Sequence, residues 1–387
     1  MDRVDPKVDE AIETLNMKDG PSRRKLLKGT GLVSATAAAS ALLAACSSSS
    51  SPASAAAKDT AGNFPKTPAW QFWFVNHVTT NTFFTPTQYG FADAAAILDI
   101  PVPKWTGSTN SVASQMVAQI NAAVSAKAAG IATTLINSSS FTTPVANAMS
   151  AGIPVLSYNA DGVVSKSGVP DIGCNRLAYV GQALFTSGQQ LGERIKSLTT
   201  PGEVAIFIET PGTANIQPRF DGANSILSPL GYKVAEITTT TVPATILANE
   251  KAYLLAHKSV KGAFAVDSTS TSFLAQALSE TGMSHLPNGG FDTVPQTLTN
   301  IKAGTTGFTI YQDPYLQGFL PTLYMYLYNI SGGTLVPSDT DTGLSFITKS
   351  NLTQYNVASR YQGSTTAQKY VPRPSGAISN PPATTST

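Results

Sequence analysis

Residues 110–130 read NSVASQMVAQINAAVSAKAAG, and residues 131–137 read IATTLIN. The first stretch sets Val112, Met116, Ile120 and Val124 four residues apart, so they share one helical face, and Gly130 supplies the C-terminal cap. The second is too short for a helix and predicts a buried strand. A helix running straight into a buried strand is half of a βαβ unit, and the pattern recurs on both sides. Apolar runs bounded by turn signals at Gln71–Val78, Ile153–Tyr158, Glu203–Ile208, Lys233–Ile237, Gly262–Val266 and Thr306–Tyr311 predict further strands. Helical period returns from Gly181 to Lys196 and from Ser272 to Glu280, and Pro321 is expected to start or kink a helix within Leu316–Tyr328. Strand alternating with helix predicts an α/β fold with parallel sheets, right-handed crossovers and helices on both faces.

Composition narrows the function. The chain has 387 residues, 42% apolar and 12% charged, with a net charge of +2. No basic field exists to concentrate nucleic acid or anionic lipid. Two cysteines, Cys46 and Cys174, and three scattered histidines supply neither a disulfide framework nor the usual structural zinc site, so no metal is expected. The chain has no Walker loop and no strand-coupled G-x-G-x-x-G, and no cofactor is expected. Cys174 reads as a small buried hydrophobe. Ser, Thr, Ala and Asn take the place of charge, a surface suited to neutral polar ligands.

The amino end is an address. Ser22-Arg23-Arg24-Lys25-Leu26-Leu27-Lys28 precedes Gly29–Ala45, a mildly apolar run without one charge. This run is too short and too weakly apolar for a membrane span, and the paired arginines mark a twin-arginine export signal over residues 1–45. Leu43-Ala44-Ala45-Cys46 resembles the lipobox of bacterial lipoproteins, in which the cysteine sulfur is acylated. Residues 46–69, rich in Ser, Ala and Pro, are expected to be a flexible tether. The folded part is therefore expected outside the cytoplasm, lipid-anchored to the cell membrane. At the other end, residues 361–387 are expected to be disordered.

In parallel α/β sheets, ligands lie beyond the carboxyl ends of the strands. Those positions hold His77 and Asn81, Asn137, Asn159, Asp267, Asp292 and Gln312. Any one of them could serve an ordinary turn, and His77 could be a plain strand-end histidine. Gathered on one rim, they make a binding cleft.

Asn81-Thr82-Phe83-Phe84, Leu135-Ile136-Asn137, Ile153-Pro154-Val155 leading to Asn159, Arg219-Phe220-Asp221-Gly222, Gly290-Phe291-Asp292 and Gln312 together resemble the ribose- and galactose-type (type I) periplasmic sugar-binding proteins, the solute-binding lipoproteins of ABC importers. The resemblance runs from about Gln71 to Gln362. It implies two Rossmann-like lobes joined by three hinge strands, with a sugar held between them. Carried onto this chain, the hinges fall near Gly173–Asn175, near Gln312 and Asp313, and near Asp339–Thr342. The first lobe would be 70–173 plus 313–341, the second 174–312 plus 342–360. The implied partners are a neutral sugar or polyol and an ABC permease with its ATPase, and the chain would act as a monomer without enzymatic activity.

Chemistry agrees with that expectation. Sugar hydroxyls both donate and accept, so planar carboxylate, carboxamide and guanidinium groups can engage neighbouring hydroxyls in pairs. Asn137, Asn159, Arg219, Asp267, Asp292 and Gln312 supply that inventory, and Phe83 and Phe84 would cover the apolar C–H faces. Arg219 is expected to pair with Asp292 or Asp267. Where ribose-type proteins carry an Asp-Arg pair, this chain has Asn159-Ala160, and Asp161 is expected to substitute from the next turn. A second-lobe aromatic of the family falls near Val242. The less charged pocket suits a pentose, deoxy-sugar, sugar alcohol or inositol-like ligand. The alternatives are an exported carbohydrate-active enzyme using Asp267 and Asp292 as an acid–base pair, or a nucleoside-binding or signalling receptor of the same fold.

Overall fold

A computed structural model describes residues 67–164 and 170–355. From the amino end the elements run β1 (Phe72–Asn76), α1 (Thr85–Leu98), β2 (Lys104–Gly107), α2 (Ala113–Ser125), β3 (Gly130–Leu135), α3 (Thr142–Ser150), β4 (Val155–Asp161), a small antiparallel ribbon of β5 (Val163–Val164) and β6 (Pro170–Asp171), and β7 (Tyr179–Gly181). They continue with α4 (Leu184–Leu198), β8 (Glu203–Ile208), α5 (Gln217–Leu227), β9 (Lys233–Thr238), α6 (Pro243–Ala256), β10 (Ala263–Ala265), α7 (Ser268–Glu280), β11 (Asn288–Phe291), α8 (Pro295–Ala303) and β12 (Thr309–Tyr311). The last are α9 (Leu316–Ile330), β13 (Thr340–Asp341), β14 (Ser345–Ile347) and α10 (Leu352–Tyr355). The expected export signal, Cys46, the tether up to residue 66 and the tail 361–387 lie outside the described residues.

The strands form two sheets, ordered β13-β7-β4-β3-β1-β2 and β14-β12-β11-β10-β8-β9. The first is parallel throughout, and the second is parallel except where β14 runs against β12. Each sheet is buried on both faces, which is why its strands read as apolar runs without alternation. Side-chain direction still alternates within them. Phe72 and Phe74 of β1 pack with Phe91, Leu98, Met325 and Tyr326 under α1 and α9, whereas Trp73 and Val75 pack with Met116, Ile120 and Val145 under α2 and α3. In the second lobe Val204, Ile206 and Ile208 of β8 face Leu191, Ile195 and Phe220, and Ala205 and Phe207 face Leu254, Leu274 and Leu278.

Among the described residues the chain passes between sheets after β7, after β12 and after β13. The first passage falls at Gln182–Ala183, not at the expected Gly173–Asn175. Residues up to Gly181 still belong to the first sheet: Leu177 N donates to Val155 O (2.8 Å), Ser157 N to Ala178 O (2.9 Å), and Tyr179 and Val180 pair with Ser157 and Tyr158. The expected lobe boundary at residue 173 therefore moves to about 181. Gly173 marks a close approach instead. Its φ is +67°, and a Cβ there would lie 1.6 Å from Ser138 O. Pro321 does not start a helix, because α9 begins at Leu316 and carries the proline inside it.

The strand order fixes where a ligand can lie. In the first sheet β1 has β2 on one side and β3 on the other, and in the second β8 lies between β9 and β10. These are the switch points, where the crossovers leave in opposite directions and open a crevice beyond the carboxyl ends.

Candidate functional site

At the end of β1, Asn76 is fully buried; its Nδ2 donates to Tyr158 Oη (2.8 Å) and its Oδ1 accepts from Val78 N (2.7 Å). This fixes the turn that presents His77. The imidazole lies 3.1 Å (Nδ1) from Thr134 Oγ1 and 3.3 Å (Nε2) from Nδ2 of Asn215, which belongs to the second lobe. Burial lowers its pKa to about 4, so the ring is neutral. A neutral ring accepts Asn215 Nδ2–H at Nε2 and donates from Nδ1 to Thr134. Asn81 caps the short 3-10 turn Thr82–Phe84 by accepting from Phe83 N (2.9 Å). That turn sets Phe83 and Phe84 edge to face, with centroids 4.8 Å apart. Both rings belong to the first-lobe core and also line the cleft.

Asn159, inside β4, and Asp292, just after β11, lie in the left-handed region, with φ of 61° and 75°. Such non-glycine conformations cost energy and persist where the surroundings hold them. Here a hydrogen-bonded chain does so. Asn159 Nδ2 donates to Gln317 Oε1 (3.1 Å), Gln317 Nε2 donates to Gln312 Oε1 (3.2 Å), and Gln312 Nε2 donates to Asp292 Oδ1 (2.7 Å). The chain runs from the first lobe through α9 into the second.

Arg219, on the first turn of α5, is only 2% exposed. Nη1 donates to Val266 O (3.0 Å), Nη2 to Gln182 Oε1 (3.2 Å), and the guanidinium lies 4.2 Å over the Phe291 ring. Its Nε is buried without a partner among the described residues. The expected ion pair with Asp292 or Asp267 does not form, because Phe291 and the Val266 carbonyl hold the fork in place. Asp292 still feels the cation: burial raises its pKa, and Arg219 pulls it back. Asp267 is the N-cap of α7, accepting from Ser270 N (2.7 Å), Ser270 Oγ (2.9 Å) and Glu209 N (2.9 Å). Burial pushes its carboxyl up to about 6 against those bonds.

These groups close around one cleft, about 490 Å³ when its open mouth is counted. His77, Asn81, Phe83, Phe84, Asn159, Arg219, Asp267, Asp292 and Gln312 all line it. Two expected residues do not. Asn137 turns its Oδ1 back to accept from Ser139 N (3.1 Å) and Ser140 N (2.8 Å), so it is a turn residue. Asp161 is held by Arg176 through Nε (2.8 Å) and Nη2, and Arg176 reaches on to Asp339 through Nη1 (2.7 Å). That network ties β4 to the stretch before β13 and leaves Asp161 no access to the cleft.

Residues 72–332 match the family described as the periplasmic binding protein domain. The chain belongs to the periplasmic binding protein family. Its relatives include the xylose/arabinose-binding protein XylF of Sulfolobus acidocaldarius, 45% identical over 80% of this chain and 78% of that one. Among solved structures, it is similar to an ABC-transporter solute-binding protein from Burkholderia graminis in complex with D-arabinose, at 27% identity and a TM-score of 0.68, covering 76% of this chain and 99% of that one. A carbohydrate transporter from Acidothermus cellulolyticus in complex with myo-inositol shares the fold, at 23% identity and a TM-score of 0.66, covering 77% and 100%. Membership of this family implies work outside the cytoplasm.

The cleft of this periplasmic binding protein also holds Ser111, Glu209, Thr210, Asn215, Thr241 and Ser268, which the strand-end reading missed. Glu209 and Thr210 directly follow β8, the switch-point strand, so the rule that singled out His77 would have found them. Asn215 gave no such signal: it lies on the loop before α5, and its approach to His77 is purely tertiary. Val242, the position of the expected second-lobe aromatic, is 54% exposed and does not line the cleft.

Proposed function

We propose that this periplasmic binding protein captures a neutral aldopentose by closing its two lobes on it, and delivers it to an ABC import permease driven by a cytoplasmic ATPase. One observation carries the reading: hydrogen-bonding side chains from the strand ends of both sheets converge on one cleft whose apolar wall is Phe83 and Phe84. Carboxamides of Asn81, Asn159 and Gln312 and the carboxylate of Asp292 can pair with adjacent hydroxyls, and the unpartnered Nε of Arg219 is a donor awaiting an acceptor. The relatives that bind xylose, arabinose and D-arabinose favour a five-carbon sugar over the polyols. Because ligand spans both lobes only when the cleft is shut, its binding shifts the population to the closed form.

The enzyme reading loses ground at Asp267. A carboxylate already accepting three hydrogen bonds as a helix cap is poorly placed to shuttle protons with Asp292. Export by the twin-arginine route and acylation of Cys46 complete the proposal, supported by the order of the Arg23-Arg24 pair, the uncharged run and the lipobox-like Leu43–Cys46. Calorimetry on the full chain with D-xylose, L-arabinose, D-arabinose, myo-inositol and adenosine tests the ligand class. Binding of a pentose in preference to the other two is expected, with thermal stabilisation of about 2.7 kcal/mol at about 100 times the dissociation constant. Binding of adenosine alone would replace this reading with a nucleoside receptor.

A further inference from the structure

Glu209 stands at the carboxyl end of β8, at the switch point of the second sheet, and its side chain lines the cleft. Its backbone N–H is spent on Asp267 Oδ2 (2.9 Å). Its carboxyl is not spent: among the described residues, no donor is bonded to either side-chain oxygen. The neighbouring acids differ in this respect. Asp267 is the cap of α7, and Asp292 accepts from Gln312. Across the same cleft, the buried Arg219 Nε also lacks a partner, so an uncommitted acceptor and an uncommitted donor share one cavity. A buried donor without a partner is costly unless something arrives to satisfy it.

We propose that Glu209 is a specificity-determining residue of the cleft, engaging a hydroxyl of the bound sugar with its free carboxyl and so rejecting analogues that lack that hydroxyl. The inference rests on the carbohydrate reading above. The charged and titratable groups facing it are Asp267, Asp292, Arg219 and the neutral His77. Burial, followed by the negative charge of Asp267 and then of Asp292, pushes the Glu209 carboxyl up to about 8. Near neutral pH it therefore carries a proton, and it can donate to one sugar oxygen while accepting from another. Once ionised it can only accept. Affinity is expected to weaken from about pH 7 to about pH 9 as the donor is lost.

The test is calorimetry on the full chain, wild type, Glu209→Ala and Glu209→Gln, with D-xylose, L-arabinose, D-arabinose and each singly deoxygenated analogue of the sugar bound best. Truncation to Ala should weaken that sugar about 10-fold or more. In wild type one deoxy analogue should lose a comparable factor, and in Glu209→Ala that same analogue should lose nothing further. Glu209→Gln keeps a donor and an acceptor at every pH, so it should bind with a flat profile across the alkaline range. If Glu209→Ala does not fold, Glu209→Gln against the same analogues carries the comparison through its pH profile. Unchanged affinity in Glu209→Ala, or parallel pH profiles for wild type and Glu209→Gln, overturns the role of Glu209 while the sugar reading stands. Wild type binding none of the pentoses overturns the sugar reading and this inference with it.

Discussion

Arg219 shows how one side chain can be legible in part. Its motif Arg219-Phe220-Asp221-Gly222 marks it as a cleft residue, and it lies there, but its partners are Val266 O, Gln182 Oε1 and the Phe291 face rather than a carboxylate. Sequence reasoning pairs opposite charges by type, whereas packing decides which atoms the fork can reach. Arg219→Met should weaken sugar binding by about 1.5–3 kcal/mol, the worth of hydrogen bonds to a charged donor, as read by calorimetry. Arg219→Lys should not restore it, since an ammonium cannot stack on Phe291 and serve both acceptors together. Asn137 and Asp161 failed for a related reason. Short polar side chains at strand ends satisfy local backbone or ion-pair demands first, and only the fold shows which have capacity left for a ligand.

At the scale of elements, α6 carries an anomaly inside a regular pattern. Ile246, Glu250 and Leu254 lie four residues apart on its buried face, and Glu250 is fully buried with neither carboxylate oxygen partnered among the described residues. Burial, and then the charge of Asp267, raises its pKa well above the ordinary value. A raised folded-state pKa means that its stabilising effect is complete below the unfolded value near 4.5 and is lost as pH rises toward the folded value. Glu250→Met should therefore gain stability over wild type on going from mildly acid to mildly alkaline pH, by up to about 1.4 kcal/mol per pH unit in that window. Denaturant melts at several pH values read the difference, and parallel curves would show that Glu250 finds a partner in solution. Several regular elements were well marked. The predicted strand Glu203–Ile208 matches β8, and the helix predicted within 110–130 forms over Ala113–Ser125. β2, β5, β6, β7, β11, β13 and β14 were not predicted; β7 and β13, with three and two residues, carry too little apolar period to register.

For the whole molecule, closure is visible in bonds that span the lobes. Asn215 approaches His77, Ala214 N donates to Ile136 O (3.3 Å), and the Gln317 chain links Asn159 to Asp292. The proposed anchor acts at the same scale. Since each buried CH₂ contributes about 0.8 kcal/mol, the acyl chains proposed on Cys46 would hold the protein firmly. Cys46→Ser should move it from the membrane fraction to the soluble extracytoplasmic fraction with sugar affinity unchanged, and a variant still pelleting with membranes would remove the anchor. The sequence by itself determined the α/β class, the alternating strands and helices and most of the cleft's polar inventory, because apolar period and strand-end residue type are local properties. Tertiary structure alone decided that β7 and β13 join the first sheet, that Asp161 belongs to an ion-pair network, and that Asn215 shares a cavity with His77 and Arg219. Those outcomes depend on distances between segments far apart in the chain, and hydrogen-bond capacity is assigned only once every competing partner has been brought into reach.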